Sequence, residues 1–74
     1  MQVTIKLFAT LREGRGKVLE KNYPDNTTIK DILIDLNIDE EEVAILLKNG
    51  ITAKLDDIPT DGEYLSIFPP VGGG

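Results

Sequence analysis

Few residues in this 74-residue chain have side chains suited to covalent chemistry. The chain contains no cysteine and no histidine, so it has no thiol nucleophile and lacks the commonest general base and metal ligand. No glycine-rich loop precedes a Lys-Ser or Lys-Thr pair, the pattern of a phosphate site. A solvated helical turn, with Asp39 as its cap and Glu42 reaching back, explains the acidic run at residues 39–42. We therefore expect no metal site, and we do not expect the chain to be an enzyme by itself.

The end of the sequence is the segment whose composition favours chemistry. Residues 67–74, "IFPPVGGG", place two prolines and three glycines after a hydrophobic strand. The prolines favour an extended backbone and end a sheet ladder. Glycine has no side chain and a wide φ/ψ range, so Gly72 and Gly73 would allow the carboxylate of Gly74 to enter a narrow site in another protein. Because a carboxylate is best activated where water is excluded, we expect residues 72–74 to form a flexible tail that presents this carboxylate.

Composition limits the partners and the location of the chain. A net charge of −5 argues against nucleic acid as a partner, because phosphate binding needs clustered Lys and Arg. No signal peptide opens the sequence, and no apolar run approaches the ~20 residues of a membrane span. We expect one domain over residues 1–71, in the cytoplasm, monomeric when alone and without a membrane partner.

Hydrophobic periodicity predicts several strands. Residues 2–8 alternate between apolar and polar side chains, as in a half-buried strand, and residues 17–23 predict a second strand after a turn. The pair Asn49-Gly50 between two β-prone runs predicts a type I′ hairpin. Residues 63–68 predict a last strand that places Leu65 and Ile67 in the core.

One segment changes to the helical period. Thr28 is the predicted N-cap, Asp31 stands at the position of a capping box, and Asn37 suits the C-terminal end. The apolar stripe at positions i, i+3, i+4 and i+7 predicts a buried helix face: Ile29, Ile32, Leu33 and Leu36. A single helix after an initial hairpin predicts an α+β fold. We expect a β-grasp, with one main helix packed across one face of a four- to five-stranded mixed sheet.

Three stretches of the sequence carry a resemblance to a known family. These are "LFATLRE" (7–13), the "NG" pair of the hairpin and "TDGEYLSIFPPVGGG" (60–74). Together they resemble the small subunit of molybdopterin synthase, a ubiquitin-like sulfur carrier related to the carrier of the thiamine pathway. The resemblance is most specific in the last fifteen residues. The connection after "LRE" is shorter than is usual in that family and lacks its Leu-rich extension.

The resemblance implies a reaction cycle at the carboxylate of Gly74. A ubiquitin-activating-like adenylyltransferase, using Mg-ATP, would convert it to an acyl-adenylate. A persulfide donor would then displace AMP, and a thiocarboxylate would carry the sulfur to a pterin precursor bound by the molybdopterin synthase large subunit. The carrier itself would hold no cofactor stably. Three alternatives stay open: a protein modifier joined through Gly74 to lysines, a sulfur carrier for thiamine or tRNA, and an interaction module whose tail is inert.

A docking surface is expected beside the tail. If the first and last strands are parallel neighbours, Phe8 and Phe68 both point away from the helix and form an exposed apolar patch. Ala44 and Leu46 would extend this patch, and Arg12 would either flank it as a charged contact or be solvated. The alternative is that either ring covers a small satellite core. The expected partner-binding residues are Phe8, Arg12, Leu46, Phe68, Pro69, Pro70 and Val71.

Overall fold

The architecture is a five-stranded mixed sheet with one α-helix, as the sequence predicts. The structure is a computed structural model, and it describes residues 1–71. Its elements in chain order are β1 (Gln2–Leu7), a first 3₁₀ turn (Ala9–Arg12), β2 (Val18–Asn22), α1 (Ile29–Asp35), a second 3₁₀ turn (Glu40–Glu42), β3 (Ile45–Lys48), β4 (Ile51–Thr52) and β5 (Tyr64–Phe68). Among these residues no helix has the length and apolar character needed to cross a membrane.

The order of the strands places the first and last strands at the centre of the sheet. The sheet runs β2-β1-β5-β3-β4, with β1 and β5 parallel and the other neighbouring pairs antiparallel. The expected parallel contact between the first and last strands is therefore confirmed. Because parallel neighbours end at the same edge of the sheet, the segment after β1 lies beside the segment after β5.

Alternating side chains on β1 and β5 bury one face of the sheet. Val3, Ile5 and Leu7 are fully buried, and so are Leu65 and Ile67. The predicted strand is one residue too long, since β1 ends at Leu7 and the chain turns into the first 3₁₀ turn.

The helix covers this buried face and begins where the sequence predicts. The Asp31 N–H donates to the Thr28 hydroxyl and the Thr28 N–H donates to the Asp31 carboxylate, both at 3.1 Å. These reciprocal bonds complete a capping box. All four residues of the predicted stripe belong to the hydrophobic core.

The hairpin between β3 and β4 is also confirmed. Asn49 and Gly50 have φ values of 49° and 81°, the left-handed pair that a type I′ turn requires. The turn connects strands of unequal length, because β4 contains two residues.

The predicted capping of the second 3₁₀ turn is wrong. No side chain caps this turn, and the Glu42 N–H instead donates to the Asp39 carbonyl oxygen at 2.9 Å. A single short turn satisfies this donor through its own backbone, so the Asp39 side chain is not needed as an acceptor.

Candidate functional site

The chain leaves the sheet immediately after β5. The Ala44 N–H donates to the Phe68 carbonyl oxygen at 2.8 Å, and the two prolines that follow have no N–H to extend the ladder. Pro69 is half-buried, Pro70 is exposed and Val71 is 98% exposed. The backbone therefore departs from the body of the protein at this point. The predicted reactive segment, Gly72 to Gly74, lies outside the described residues.

Two aromatic rings lie beside the point where the chain leaves the sheet. The rings of Phe8 and Phe68 are stacked, with centroids 4.1 Å apart and planes inclined by 9°. Phe68 follows the buried Ile67 and so points to the face of the sheet opposite α1. Both rings are half-buried. The stacked rings bury part of their surface and keep the rest accessible. The pair therefore lies between the two predicted arrangements, an exposed apolar patch and a ring that covers a small satellite core.

Arg12 is fixed at the edge of this aromatic pair. Its Nε donates to the Leu7 carbonyl oxygen at 2.8 Å, and its guanidinium carbon lies 5.3 Å from the centroid of the Phe8 ring. That distance is within the range of a cation–π interaction. The expected flanking position of Arg12 is therefore confirmed. Within residues 1–71, its terminal nitrogens make no hydrogen bond.

Leu46 does not belong to the outward face, and this part of the predicted surface is wrong. Leu46 is 8% exposed and belongs to the core, because it pairs with the inward-facing Ile67. Ile45 is the residue that pairs with Phe68, and it is 49% exposed. A shift of one residue along a strand exchanges the two faces, and the continuous apolar run of β3 gives no alternation from which to choose between them. Ala44 is exposed and precedes the strand.

A second cation, which the sequence does not predict to belong to this site, lies on the outward face. The Lys6 ammonium lies 4.4 Å from the centroid of the Tyr64 ring, and Lys6 pairs with Ser66 in the register of β1 and β5. The alternation of β1 predicts the outward position of Lys6, but the contact with Tyr64 depends on the pairing of distant strands. We call Phe8, Arg12, Ile45 and Phe68 the docking patch, which Lys6 adjoins.

The charges around the base of the tail are unevenly distributed. The docking patch and Lys6 contribute two cations in a chain of net charge −5. Pro69 and Pro70 also line a groove of about 510 Å³. The charged side chains that line this groove are three carboxylates, those of Glu13, Glu41 and Glu42, and the guanidinium of Arg15. No group of three His, Cys, Asp or Glu side chains within residues 1–71 is arranged to hold a metal ion.

A hydrogen-bonded pair outside the docking patch shifts two pKa values. The Tyr23 hydroxyl donates to the Asp35 carboxylate at 2.8 Å, and the Lys21 ammonium lies 3.4 Å from the same carboxylate oxygen. Burial, the hydrogen bond and the negative charge of Asp35 raise the pKa of Tyr23 above its ordinary value. The hydrogen bond from Tyr23, assisted by Lys21, lowers the pKa of Asp35. This pair joins the end of β2 to the end of α1 and is not part of the docking patch.

Comparison with known proteins identifies relatives of the whole chain. The model of the ThiS family matches residues 5–74. Small archaeal modifier protein 3 of Haloferax volcanii is 33% identical over 92 aligned residues, which cover all of both chains. The crystal structure of SAMP1 from the same organism has a TM-score of 0.81 at 26% identity, with full coverage of both chains.

A further solved structure with the same fold contains two subunits. It is a complex of subunits 1 and 2 of the molybdopterin-converting factor from Helicobacter pylori. The matching chain of that complex has a TM-score of 0.68 and is 22% identical, with full coverage of both chains. The family match and the relative at 33% identity show that this chain belongs to the ThiS family, whose members are small ubiquitin-like sulfur carriers and modifiers.

Proposed function

We propose that this chain is a sulfur carrier that acts in molybdopterin biosynthesis as the small subunit of molybdopterin synthase. The observation that carries the proposal is the position of the docking patch beside the point where the chain leaves the sheet toward the exposed Val71. Val71 is 98% exposed and is separated from the stacked ring of Phe68 by two prolines. Such an arrangement allows a partner to hold the body of the carrier while the residues beyond Val71 enter its active site. The cytoplasm is the proposed location.

The proposed chemistry takes place at the carboxylate of Gly74. In the activating enzyme, a carboxylate oxygen attacks the α-phosphorus of Mg-ATP and pyrophosphate leaves. The terminal sulfur of a persulfide then attacks the acyl carbon and AMP leaves as the acyl–sulfur bond forms. A thiol that reduces the resulting acyl disulfide releases the thiocarboxylate. The carrier supplies the acyl group and the fit to its partners, while Mg-ATP is bound by the ubiquitin-activating-like adenylyltransferase.

The docking patch is the proposed contact for both the activating enzyme and the molybdopterin synthase large subunit. Aromatic residues, phenylalanine among them, and arginine are enriched at interfaces relative to the rest of a protein surface. Phe8 and Phe68 would enter an apolar depression of the partner, and Arg12 would meet a carboxylate at its edge. Pro69, Pro70 and Val71 would line the entrance through which the glycines pass. Ile45 takes the place predicted for Leu46.

A second candidate function is protein modification through Gly74. The observation that favours it is the 33% identity with small archaeal modifier protein 3 over both full chains. A modifier and a carrier share the acyl-adenylate and differ in the group that attacks it, which is a lysine amine in the first case and a persulfide in the second. Sulfur transfer to a thiamine precursor or to tRNA would use the same thiocarboxylate with a different acceptor.

Intact mass spectrometry tests the proposed function. The chain is incubated with the adenylyltransferase, Mg-ATP and a persulfide donor, beside a matched variant that lacks Gly74. We expect a mass gain equal to the replacement of one oxygen by sulfur in the full chain and no gain in the variant. Addition of the large subunit and its pterin precursor should return the carrier to its original mass. Isopeptide adducts on lysines without a thiocarboxylate would favour the modifier, and no activation at all would overturn both functions.

A further inference from the structure

Arg15 joins the connection between β1 and β2 to the end of α1. Its Nε donates to the Leu36 carbonyl oxygen at 3.0 Å and its Nη2 to the Asn37 carbonyl oxygen at 2.9 Å. Its Nη1 donates to the Leu11 carbonyl oxygen at 3.1 Å. One half-buried guanidinium therefore contacts three carbonyl groups on two segments that are distant in sequence. We call these three hydrogen bonds the Arg15 clamp.

The end of α1 has two carbonyl groups that suit this guanidinium. The Asn37 N–H donates to the Ile34 carbonyl oxygen and the Ile38 N–H donates to the Leu33 carbonyl oxygen, which is the Schellman pattern. The Leu36 and Asn37 carbonyl oxygens then accept from Arg15. A cation at a helix C-terminus also interacts favourably with the helix dipole. The planar arrangement of five N–H donors, which lysine lacks, allows one side chain to make all three bonds.

The segment held by the clamp contains a strained residue. Within residues 1–71, the non-glycine residues with positive φ are two asparagines and Ala9, for which φ is 53°. Asparagine tolerates the left-handed region, whereas alanine is disfavoured there by contacts of its Cβ. Such a residue persists when the surrounding structure holds it. Ala9 lies directly after Phe8 and begins the first 3₁₀ turn, so a change of its backbone would move Phe8 or Arg12.

The backbone of the first 3₁₀ turn is closed by its own hydrogen bonds, among them Leu11 N–H to the Phe8 carbonyl oxygen at 3.2 Å. Three further interactions hold the turn around Ala9. Leu11 is buried in the core with 2% of its surface exposed, Arg12 is bonded to the Leu7 carbonyl oxygen, and the clamp fixes the Leu11 carbonyl group from the side of the helix. Of these three, the Arg15 clamp is the interaction that joins the turn to the end of α1 by hydrogen bonds. Within residues 1–71, no other hydrogen bond joins this connection to the end of the helix.

We propose that Arg15 is a positioning residue for partner docking. Its clamp holds the first 3₁₀ turn in the strained conformation that sets the positions of Phe8 and Arg12 in the docking patch. This inference rests on the proposed function, because it assigns Arg15 a role in the activation of the carrier.

The first test measures the geometry of the patch in the isolated carrier. Stacked rings shift each other's aromatic proton resonances, so NMR spectra of Phe8 and Phe68 report their separation. We expect Arg15→Ala and Arg15→Lys to move these resonances toward the values of unstacked rings. The matched control is Thr28→Ala, which weakens α1 at its opposite end and should leave them unchanged. Ring resonances in both Arg15 variants that equal those of the wild type would overturn the proposal.

The second test measures activation by the adenylyltransferase. We expect Arg15→Ala to raise the KM for the carrier by about tenfold, as for loss of a well-formed interface contact, while kcat stays within about twofold. Arg15→Lys keeps the charge and should still raise KM, and Thr28→Ala should not. Equal KM values for wild type and Arg15→Ala would overturn the docking role of Arg15 and leave the proposed function standing. A wild-type carrier that is never adenylated would overturn the proposed function, and the docking role of Arg15 with it.

Discussion

The two faces of the central strands serve different purposes. On the covered face, Ile5 of β1 and Leu65 of β5 are adjacent in register and fully buried. On the opposite face, Phe8, which directly follows β1, and Phe68, the last residue of β5, are stacked and half-buried. Burial on the first face stabilises the fold, whereas the second face leaves apolar surface accessible, where we propose that a partner docks. Substitutions on the two faces should therefore separate stability from binding.

The largest effect is expected on the covered face. Ile32→Ala should lower the free energy of unfolding by about 2–5 kcal/mol, since it removes buried methyl groups and leaves a cavity. The matched control is Ile34→Ala on the same helix, because Ile34 is 65% exposed and should change stability by less than about 0.5 kcal/mol. Urea denaturation measures both values. Equal losses in the two variants would contradict the assignment of the helix faces.

On the outward face, a smaller loss of stability should accompany a larger loss of binding. Phe68→Ala removes half of the stacked pair and should weaken binding to the activating enzyme by about tenfold or more. Val18→Ala is the matched control. Val18 lies on the edge strand β2, pairs with the outward-facing Lys6 of β1 and is 57% exposed. Isothermal titration calorimetry compares the two variants. If Val18→Ala weakened binding as strongly, the contact would extend across the face and would not be confined to the docking patch.

The features that the sequence predicts are those that depend on neighbouring residues. The capping box of Thr28 and Asp31, the Asn49-Gly50 turn and the alternation of β1 are all local patterns, and the structure confirms each of them. The face occupied by Leu46 was mistaken because β3 is apolar at successive positions, so its orientation depends on the register with β5.

The features that were missed depend on residues that are far apart in the chain. Arg15 bonds to carbonyl groups 21 and 22 residues away. Lys6 of β1 contacts Tyr64 of the neighbouring strand β5. Nothing in the local sequence distinguishes these side chains from solvated cations. Much of the fold could therefore be read from periodicity, whereas the arrangement of the docking patch required the tertiary structure.

An intermediate effect is expected at the turn of the hairpin. Gly50 has φ of 81°, and an added Cβ would lie 3.6 Å from the Tyr64 hydroxyl oxygen, an ordinary contact. Gly50→Ala should therefore lower stability by about 1–2 kcal/mol through its backbone conformation alone. Thermal denaturation measures this loss, with the exposed Lys54→Ala as the control. Because β3 borders the docking patch through Ile45, unchanged partner binding in Gly50→Ala would show that the patch tolerates a weaker hairpin.

The smallest effect is expected from the polar pair that joins the end of β2 to α1. Tyr23→Phe removes the hydrogen bond to Asp35, whose carboxylate is partly exposed and screened by solvent. The folded-state pKa of Asp35 is lowered, so its contribution is present above the unfolded pKa of about 3.9 and is lost as the pH falls through the folded value.

The pKa of Tyr23 is shifted in the direction opposite to that of Asp35. The stability contributed by the pair should therefore decrease at both low and high pH. The folded-state pKa of Tyr23 is raised, so its contribution is complete below the unfolded pKa of about 10 and decreases as the pH rises toward the folded value. The difference in stability between wild type and Tyr23→Phe should therefore be constant between about pH 5 and pH 9 and decrease on both sides. Urea denaturation across this range measures it. A difference that did not vary with pH would mean that Tyr23 stabilises the covered face by packing against the core and not through Asp35.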